Sequence, residues 1–290
     1  MAETTATAVH REGYDGACLD IESNAVSPGG NQTERRLALT EFTRLVRDEM
    51  QTFNASLAFA TTVLPNVTNS KGSFPHMDLV ALSGLVDFFF VMGYGTGDVG
   101  EGKPARSNSD YRVLMRGVEG YRQIGVDVPK KVVMGLPWYG VDTKCDASAS
   151  LDNETCITIR PTTARPLFNW TTIQGHGGFL GPSIASLFRQ SHQKILNWDP
   201  DSQSPFFDYT EASTGDQHQV WFDNPRSIAA KSRMARALHA RGVGAFTVDF
   251  DAAATGSEQE RHCAAAMWRA LANGQHDRGF EAERGGCTLL

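Results

Sequence analysis

The sequence predicts an α/β protein built on a parallel sheet, either open and doubly wound or closed into a barrel. Short apolar runs alternate with helix-length amphipathic stretches, as βαβ units require. The runs are near-continuously apolar, as in strands covered on both faces. The 290 residues suffice for one large domain of this kind. A hydrophobic share of 41% with 21% charged residues is that of an ordinary globular protein. A net charge of -6 without a basic cluster leaves a nucleic-acid backbone nothing to dock on. The longest apolar stretch, Val86 to Met92, is interrupted by Asp87, so no membrane span is expected.

In chain order, GACLDIE (16–22) reads as a buried strand and residues 33–53 as an amphipathic helix with Leu37, Leu45, Val46 and Met50 on one side. ASLAFATTVL (55–64) is the second strand, followed by a short helix around 77–85. VDFFFVMGYG (86–95) is the third, and its helix runs over 108–124, ended by Gly125 and Pro129. KVVMGLPWYG (131–140) is the fourth strand and GVGAFTVDFDA (242–252) the fifth. Residues 141–220, rich in Gly, Pro, Ser and Thr, read as an irregular insertion between these last two. Asn224 as cap and Pro225 at the first helical position start a helix to about Arg241. A last helix covers 258–271, and a flexible tail is expected over 274–290.

Residues 1–13 have neither a basic start nor an apolar centre, so they are not a signal peptide, which taken alone says cytosol. Two features say the opposite. Five N-x-[ST] glycosylation sequons occur, at Asn31, Asn54, Asn66, Asn153 and Asn169, where roughly one or two are expected by chance. Cys145 and Cys156 bracket a polar turn of ten residues, a spacing that suits a disulfide and matches no zinc pattern; two reduced thiols are the alternative. Cys18, Cys263 and Cys287 have no evident partners and read as buried thiols.

The segment Tyr14-Asp15-Gly16-Ala17-Cys18-Leu19-Asp20-Ile21-Glu22 carries the chemistry. Strand alternation points Cys18, Asp20 and Glu22 to one face, with Glu22 last, at the carboxyl edge where barrel enzymes place their sites. An isolated D-x-E at a strand end most often solvates or caps; here the longer pattern resembles the [DN]-G-x-[DN]-x-[DN]-x-E signature of glycoside hydrolase family 18. FFFVMGYG is similar to that family's M-x-Y-[DN] strand, and VMGLPWYG and HQVWFDNPRSIAAK also resemble family segments, as does the Cys145 to Cys156 spacing.

The resemblance implies a (β/α)8 TIM barrel of which about five of eight βα units are visible. Residues 1–273 would then be a catalytic barrel lacking its first strands, with 141–220 as its insertion. Residues 1–13 read as a false start, and a leader for a lysosomal or secreted protein is expected upstream. It further implies hydrolysis of β-1,4-linked N-acetylglucosamine oligosaccharides, of chitobiose, chitin or N-glycan-core type, by a substrate-assisted retaining mechanism. Glu22 would be the acid, its pKa raised by burial and a nearby anion. Asp20 would supply that anion and orient the acetamido group, and Tyr94 would hydrogen-bond the acetamido carbonyl. Trp138 and Tyr139 are candidates for sugar stacking, with plain core the alternative for Pro137-Trp138. Phe246 stands where the family has the Trp that floors the cleavage subsite.

Three departures stand out. Cys18 replaces an Asp or Asn, Gly95 replaces an acid or amide unless Asp98 substitutes, and Phe246 is smaller than Trp. They keep open a non-catalytic chitinase-like lectin, against which Glu22 argues. A third reading, Mg²⁺ held by Asp20, Glu22, Asp249 and Asp251, is the weakest. No cofactor is expected, and the partner is an oligosaccharide bound by a monomer. A five-strand remnant alone would expose two sheet edges, so poor folding of the isolated chain is expected too.

Overall fold

The computed structural model describes residues 2–22, 31–65, 77–97, 100–146, 156–168, 182–191, 194–247, 257–273 and 287. In chain order the elements are α1 (Ala2–Glu12), β1 (Gly16–Leu19), α2 (Gln32–Thr52), β2 (Ser56–Thr62), α3 (Leu79–Ser83), β3 (Phe88–Met92), α4 (Tyr111–Gln123), α5 (Val128–Lys131) and β4 (Val132–Pro137). There follow β5 (Tyr139–Cys145), β6 (Thr158–Pro166), α6 (Ile184–Gln190), β7 (Asn197–Asp199), β8 (Ser204–Thr210), β9 (Gln217–Trp221), α7 (Pro225–Ala237), β10 (Gly242–Phe246) and α8 (Glu258–Asn273). No described helix is long and apolar enough to cross a membrane. The chain divides into two units: Met1–Met92 with Leu114–Gly135 and Ala237–Val243, and Gly93–Val113 with Leu136–Arg236 and Gly244–Leu290.

The first unit is built on a sheet of order β1-β2-β3-β4-β10, with β1 to β4 successively parallel. All five expected strands form, and the described strands do not close into a ring. β2 is buried on both faces from Leu57 to Thr61, as its unbroken apolar run requires. Gly117 of α4 lies against the end of β2: a Cβ there would meet the Val63 carbonyl oxygen at 2.3 Å, so only glycine fits. The acid that interrupts the third apolar run is tied down, since Asp87 accepts from Arg47 of α2 at 2.6 Å and from the Leu57 amide at 2.8 Å.

One element was not foreseen from the sequence, and one expectation is corrected here. Residues 2–12 form a helix with Ala6 and Val9 buried at i, i+3 spacing; small residues and a short apolar stripe made this face easy to overlook. In α2 the buried stripe is Leu39, Thr43, Val46 and Met50, while Leu37 and Leu45 are 66% and 46% exposed. At about 100° per residue Leu37 falls opposite Val46, and Thr43 joins the stripe because its hydroxyl donates to the Leu39 carbonyl at 2.8 Å. The start of α2 is a capping box in which Asn31 accepts from the Glu34 amide and the Glu34 side chain accepts from the Asn31 amide.

The second unit contains what read as an irregular insertion and is a five-stranded antiparallel sheet of order β6-β5-β9-β8-β7. The pattern was hidden because polar residues such as Asp142, Thr143, Thr158 and Gln219 are buried in it and because Pro161 and Pro166 sit on the edge strand β6. Beneath the sheet, Lys231 of α7 is fully buried, ion-paired to Asp223 and donating to Ser204 Oγ at 3.1 Å. Asn224 caps α7 through the Ser227 amide at 3.1 Å, as expected, and the helix ends at Ala237 rather than Arg241. The helix expected from Asn108 starts at Tyr111, because Asn108 and Ser109 are used by the preceding loop. Residues 274–286 and 288–290 of the expected tail lie outside the described residues.

Candidate active site

In the first unit, regular pairing of β1 stops at Leu19, yet alternation continues past it: Cys18, Asp20 and Glu22 are exposed, while Leu19 and Ile21 are half-buried. The shared face read from the sequence is therefore retained, with both acids just beyond the carboxyl end of the strand. Glu22 is exposed rather than pocketed, contrary to expectation. Among the described residues β1 pairs only with β2, so its other flank has no neighbouring strand. Even so, partial loss of hydration, the Asp20 charge and a hydrogen bond with the Asp20 carboxyl together raise the Glu22 pKa. Glu22 thus retains its proton to higher pH than an isolated carboxylate does.

Cys18 does not supply the anion missing from the motif. Desolvation, then the Asp20 charge, push its thiol up to about 11, with a partly offsetting backbone contact at Ala60, so it stays neutral at ordinary pH.

In the second unit, Tyr94, Tyr139 and Phe246 form an aromatic cluster. Tyr94 stacks on Phe246 at 5.0 Å between ring centroids, and Tyr139 meets both edge-on at 5.9 and 6.4 Å. Phe246 is 38% exposed, so the cluster presents an aromatic face to solvent. Trp138 is 2% exposed and packs edge-on against Trp268 at 4.5 Å, which is the core alternative rather than a sugar platform: alternation after Pro137 turns its ring inward.

Asn108 was not singled out from sequence. Its side-chain oxygen accepts from the Gly95 amide at 3.0 Å and its backbone carbonyl accepts from Thr96, while the neighbouring Tyr139 has its pKa raised chiefly by burial. The only cue was its place in a Ser-Asn-Ser turn before a helix. The same loop accounts for Gly95, which takes φ 65°, a left-handed conformation that an acid would adopt at a cost.

Cys145 and Cys156 are disulfide-bonded with Cα atoms 4.9 Å apart. Cys263 and Cys287 are also bonded, which corrects their reading as thiols; a partner 24 residues distant leaves no local turn signal. Asn31 is exposed, and Asn54, also exposed, has φ 53° in the turn after α2. Asn66, Asp98, Asn153, Asn169, Asp249 and Asp251 lie outside the described residues.

The family profile described as glycosyl hydrolases family 18 matches residues 1–251. A probable di-N-acetylchitobiase 1 of Dictyostelium discoideum is 31% identical over 181 residues, covering 59% of this chain and 47% of that protein. The di-N-acetylchitobiase of Homo sapiens is 26% identical over 266 residues, covering 89% and 63%. The chain thus spans about half to two thirds of the length of these relatives. In fold it is similar to catalytic domain 2 of the Ostrinia furnacalis Group II chitinase, with TM-score 0.68, 18% identity and coverage of 96% and 71%. It is also similar to a family 18 N-acetylglucosaminidase from Paenibacillus barengoltzii, with TM-score 0.66, 17% identity and coverage of 93% and 75%. With most of its length matched by one family profile and its acid motif at the end of β1, the chain belongs to glycosyl hydrolase family 18.

Proposed function

We propose that this chain hydrolyses β-1,4 linkages between N-acetylglucosamine units of chitobiose-type oligosaccharides by substrate-assisted catalysis with retention. The observation that carries the reading is the placement of Asp20 and Glu22 on one face just beyond the carboxyl end of β1, inside the family motif, with the Glu22 pKa raised by partial burial and then by Asp20. Glu22 gives its proton to the departing oxygen and later takes one from water. Asp20 accepts from the acetamido N–H, so that the acetamido oxygen attacks the anomeric carbon. Within the second unit, the cluster of Tyr94, Tyr139 and Phe246 offers aromatic surface of the kind that stacks on sugar faces.

The wider architecture we propose is the (β/α)8 barrel. Strand order supports it: each described strand of the parallel sheet lies beside the one before it, without the reversal of a doubly wound sheet. A secretory or lysosomal setting is favoured by the two disulfides.

The test is release of fluorophore from a 4-methylumbelliferyl N,N'-diacetylchitobioside. Glu22→Gln is expected to lower kcat by about 10²- to 10⁴-fold, the usual worth of a positioned general acid, while oligosaccharide binding is retained. Sugar binding with no release by either form would replace the hydrolase with the lectin.

A further inference from the structure

The antiparallel sheet carries a polar cluster that the proposed reaction does not use. His218 on β9 lies opposite Lys144 on β5 and Tyr209 on β8, so the three share one face, and Tyr209 stacks on the His218 ring at 4.9 Å. On that face Asp142, whose side chain is 1% exposed, faces His218 Nδ1 at 2.8 Å. It also accepts from the Tyr209 hydroxyl at 2.9 Å and from Arg165 Nε and Nη2 at 3.1 and 3.0 Å.

An ionised Asp142 fixes the proton of His218 on Nδ1 and leaves the lone pair on Nε2. That nitrogen is buried and has no hydrogen-bond partner. What it faces is anionic: Glu211 Oε2 lies 4.0 Å away, and ligand atoms of Glu211, Asp216 and His218 all lie within 4.8 Å of one another.

The β8–β9 hairpin holds these carboxylates in place. The Glu211 amide donates to the Asp216 carbonyl at 2.9 Å, and Gly215 turns the chain with φ 77°. Thr214 Oγ1 donates to Glu211 Oε2 at 2.9 Å and accepts from the Asp216 amide at 3.2 Å. Lys144 Nζ meets Asp216 Oδ2 at 2.7 Å.

We propose that Glu211, Asp216 and His218 form a binding site for a divalent transition-metal ion of the zinc class, with Asp142 as the carboxylate that orients the ligating imidazole. The donor set of one imidazole and two carboxylates suits Zn²⁺ better than Mg²⁺, which prefers oxygen alone. Four-coordinate zinc with bonds of about 2.0 to 2.2 Å sets ligand atoms roughly 3.3 to 3.6 Å apart. The ligand atoms, within 4.8 Å of one another, therefore have to draw in by about 1 Å, and Glu211, whose side chain is 45% exposed, can do so by giving up its Thr214 hydrogen bond. Lys144, 40% exposed on its long stem, turns outward as the ion takes its place on Asp216.

The proposal is independent of the glycosidase reading. Its test is titration of the 290-residue chain with ZnCl₂ at neutral pH, in a Cys18→Ala background so that the free thiol offers no site, with MgCl₂ as comparison and Co²⁺ absorption as a coordination readout. One saturable zinc equivalent is expected. Binding should weaken at least about tenfold in His218→Gln and in Asp216→Asn, and about 10- to 100-fold in Asp142→Asn. Lys144→Met, which only removes a competing charge from β5, should bind zinc more tightly, a gain that no loss of folding can imitate. Absence of saturable zinc binding, binding unchanged in His218→Gln, or no gain in Lys144→Met would overturn the proposal.

Discussion

Removing the ammonium of Lys231 tests the account of the second unit most directly. Lys231 and Asp223 have side chains 0% and 1% exposed and form an ion pair, so neither charge has water to fall back on. Burial lowers the Lys231 pKa, opposed by the Asp223 charge and hydrogen bond, so the pair depends on mutual contact. Lys231→Met leaves the Asp223 carboxylate buried and unpaired, at a cost of about 3 to 5 kcal/mol. Ser204 loses little more, since it retains Ser107 Oγ at 2.7 Å and the Ser202 carbonyl at 3.2 Å. At roughly 2 to 4 °C per kcal/mol, the single variant should melt about 6 to 20 °C lower by scanning calorimetry. The double replacement Lys231→Met with Asp223→Val removes both charges and should recover most of that loss, because an apolar pair of similar volume often matches a buried ion pair. Salt should alter neither result, since the site is out of reach of counterions. A double variant as unstable as the single one would refute the reasoning, and so would a single variant melting within about 3 °C of wild type.

Three further outcomes follow from the first unit and the loop after β3. Because the Asp20 charge and hydrogen bond help raise the Glu22 pKa, Asp20→Asn should move the basic limb of the kcat/KM profile to lower pH as well as slowing turnover. An unmoved limb would break the link between the two acids. Gly95→Asn should cost no more than about 1 kcal/mol, because Asn tolerates φ 65° and a Cβ there meets nothing within 4 Å; Gly95→Val should cost more, and equal melting temperatures would contradict the conformational argument. The Asp87 pKa is lowered: desolvation opposes this, but Arg47, the Leu57 amide and Lys131 outweigh it. Its contribution is therefore complete above the unfolded value of 3.8 and is lost as pH falls through the lower folded value. Arg47→Met should then destabilise by about 1 kcal/mol at pH 7 and by much less at about pH 2, as read by urea unfolding at both pH values.

The parts of this molecule that were legible in its sequence are those whose signal is local. Strands β2, β3 and β4 announce themselves through apolar runs: β2 is buried on both faces from Leu57 to Thr61, while β3, just as apolar, is fully buried only at Phe89 and Val91 and half-buried at Phe88, Phe90 and Met92. The acid motif was legible for a related reason: period-two alternation from Cys18 to Glu22 needs only the strand direction, and it persists three residues beyond the last ladder pair at Leu19. The antiparallel sheet failed the same test because its core is partly polar, with Asp142 satisfied by Arg165, Tyr209 and His218 from three other strands. Such a group looks like loop composition until its partners are known, and they lie 23 to 76 residues away. Asn108 shows the same limit near the aromatic site: its side-chain oxygen holds the Gly95 amide across 13 residues, a partner no local pattern names. Residues that act on substrate are held to a motif by the chemistry at a strand end. Residues that hold them in place are chosen by contacts between distant segments, so experiments on Asn108 and Asp142 probe what the motif alone could not specify.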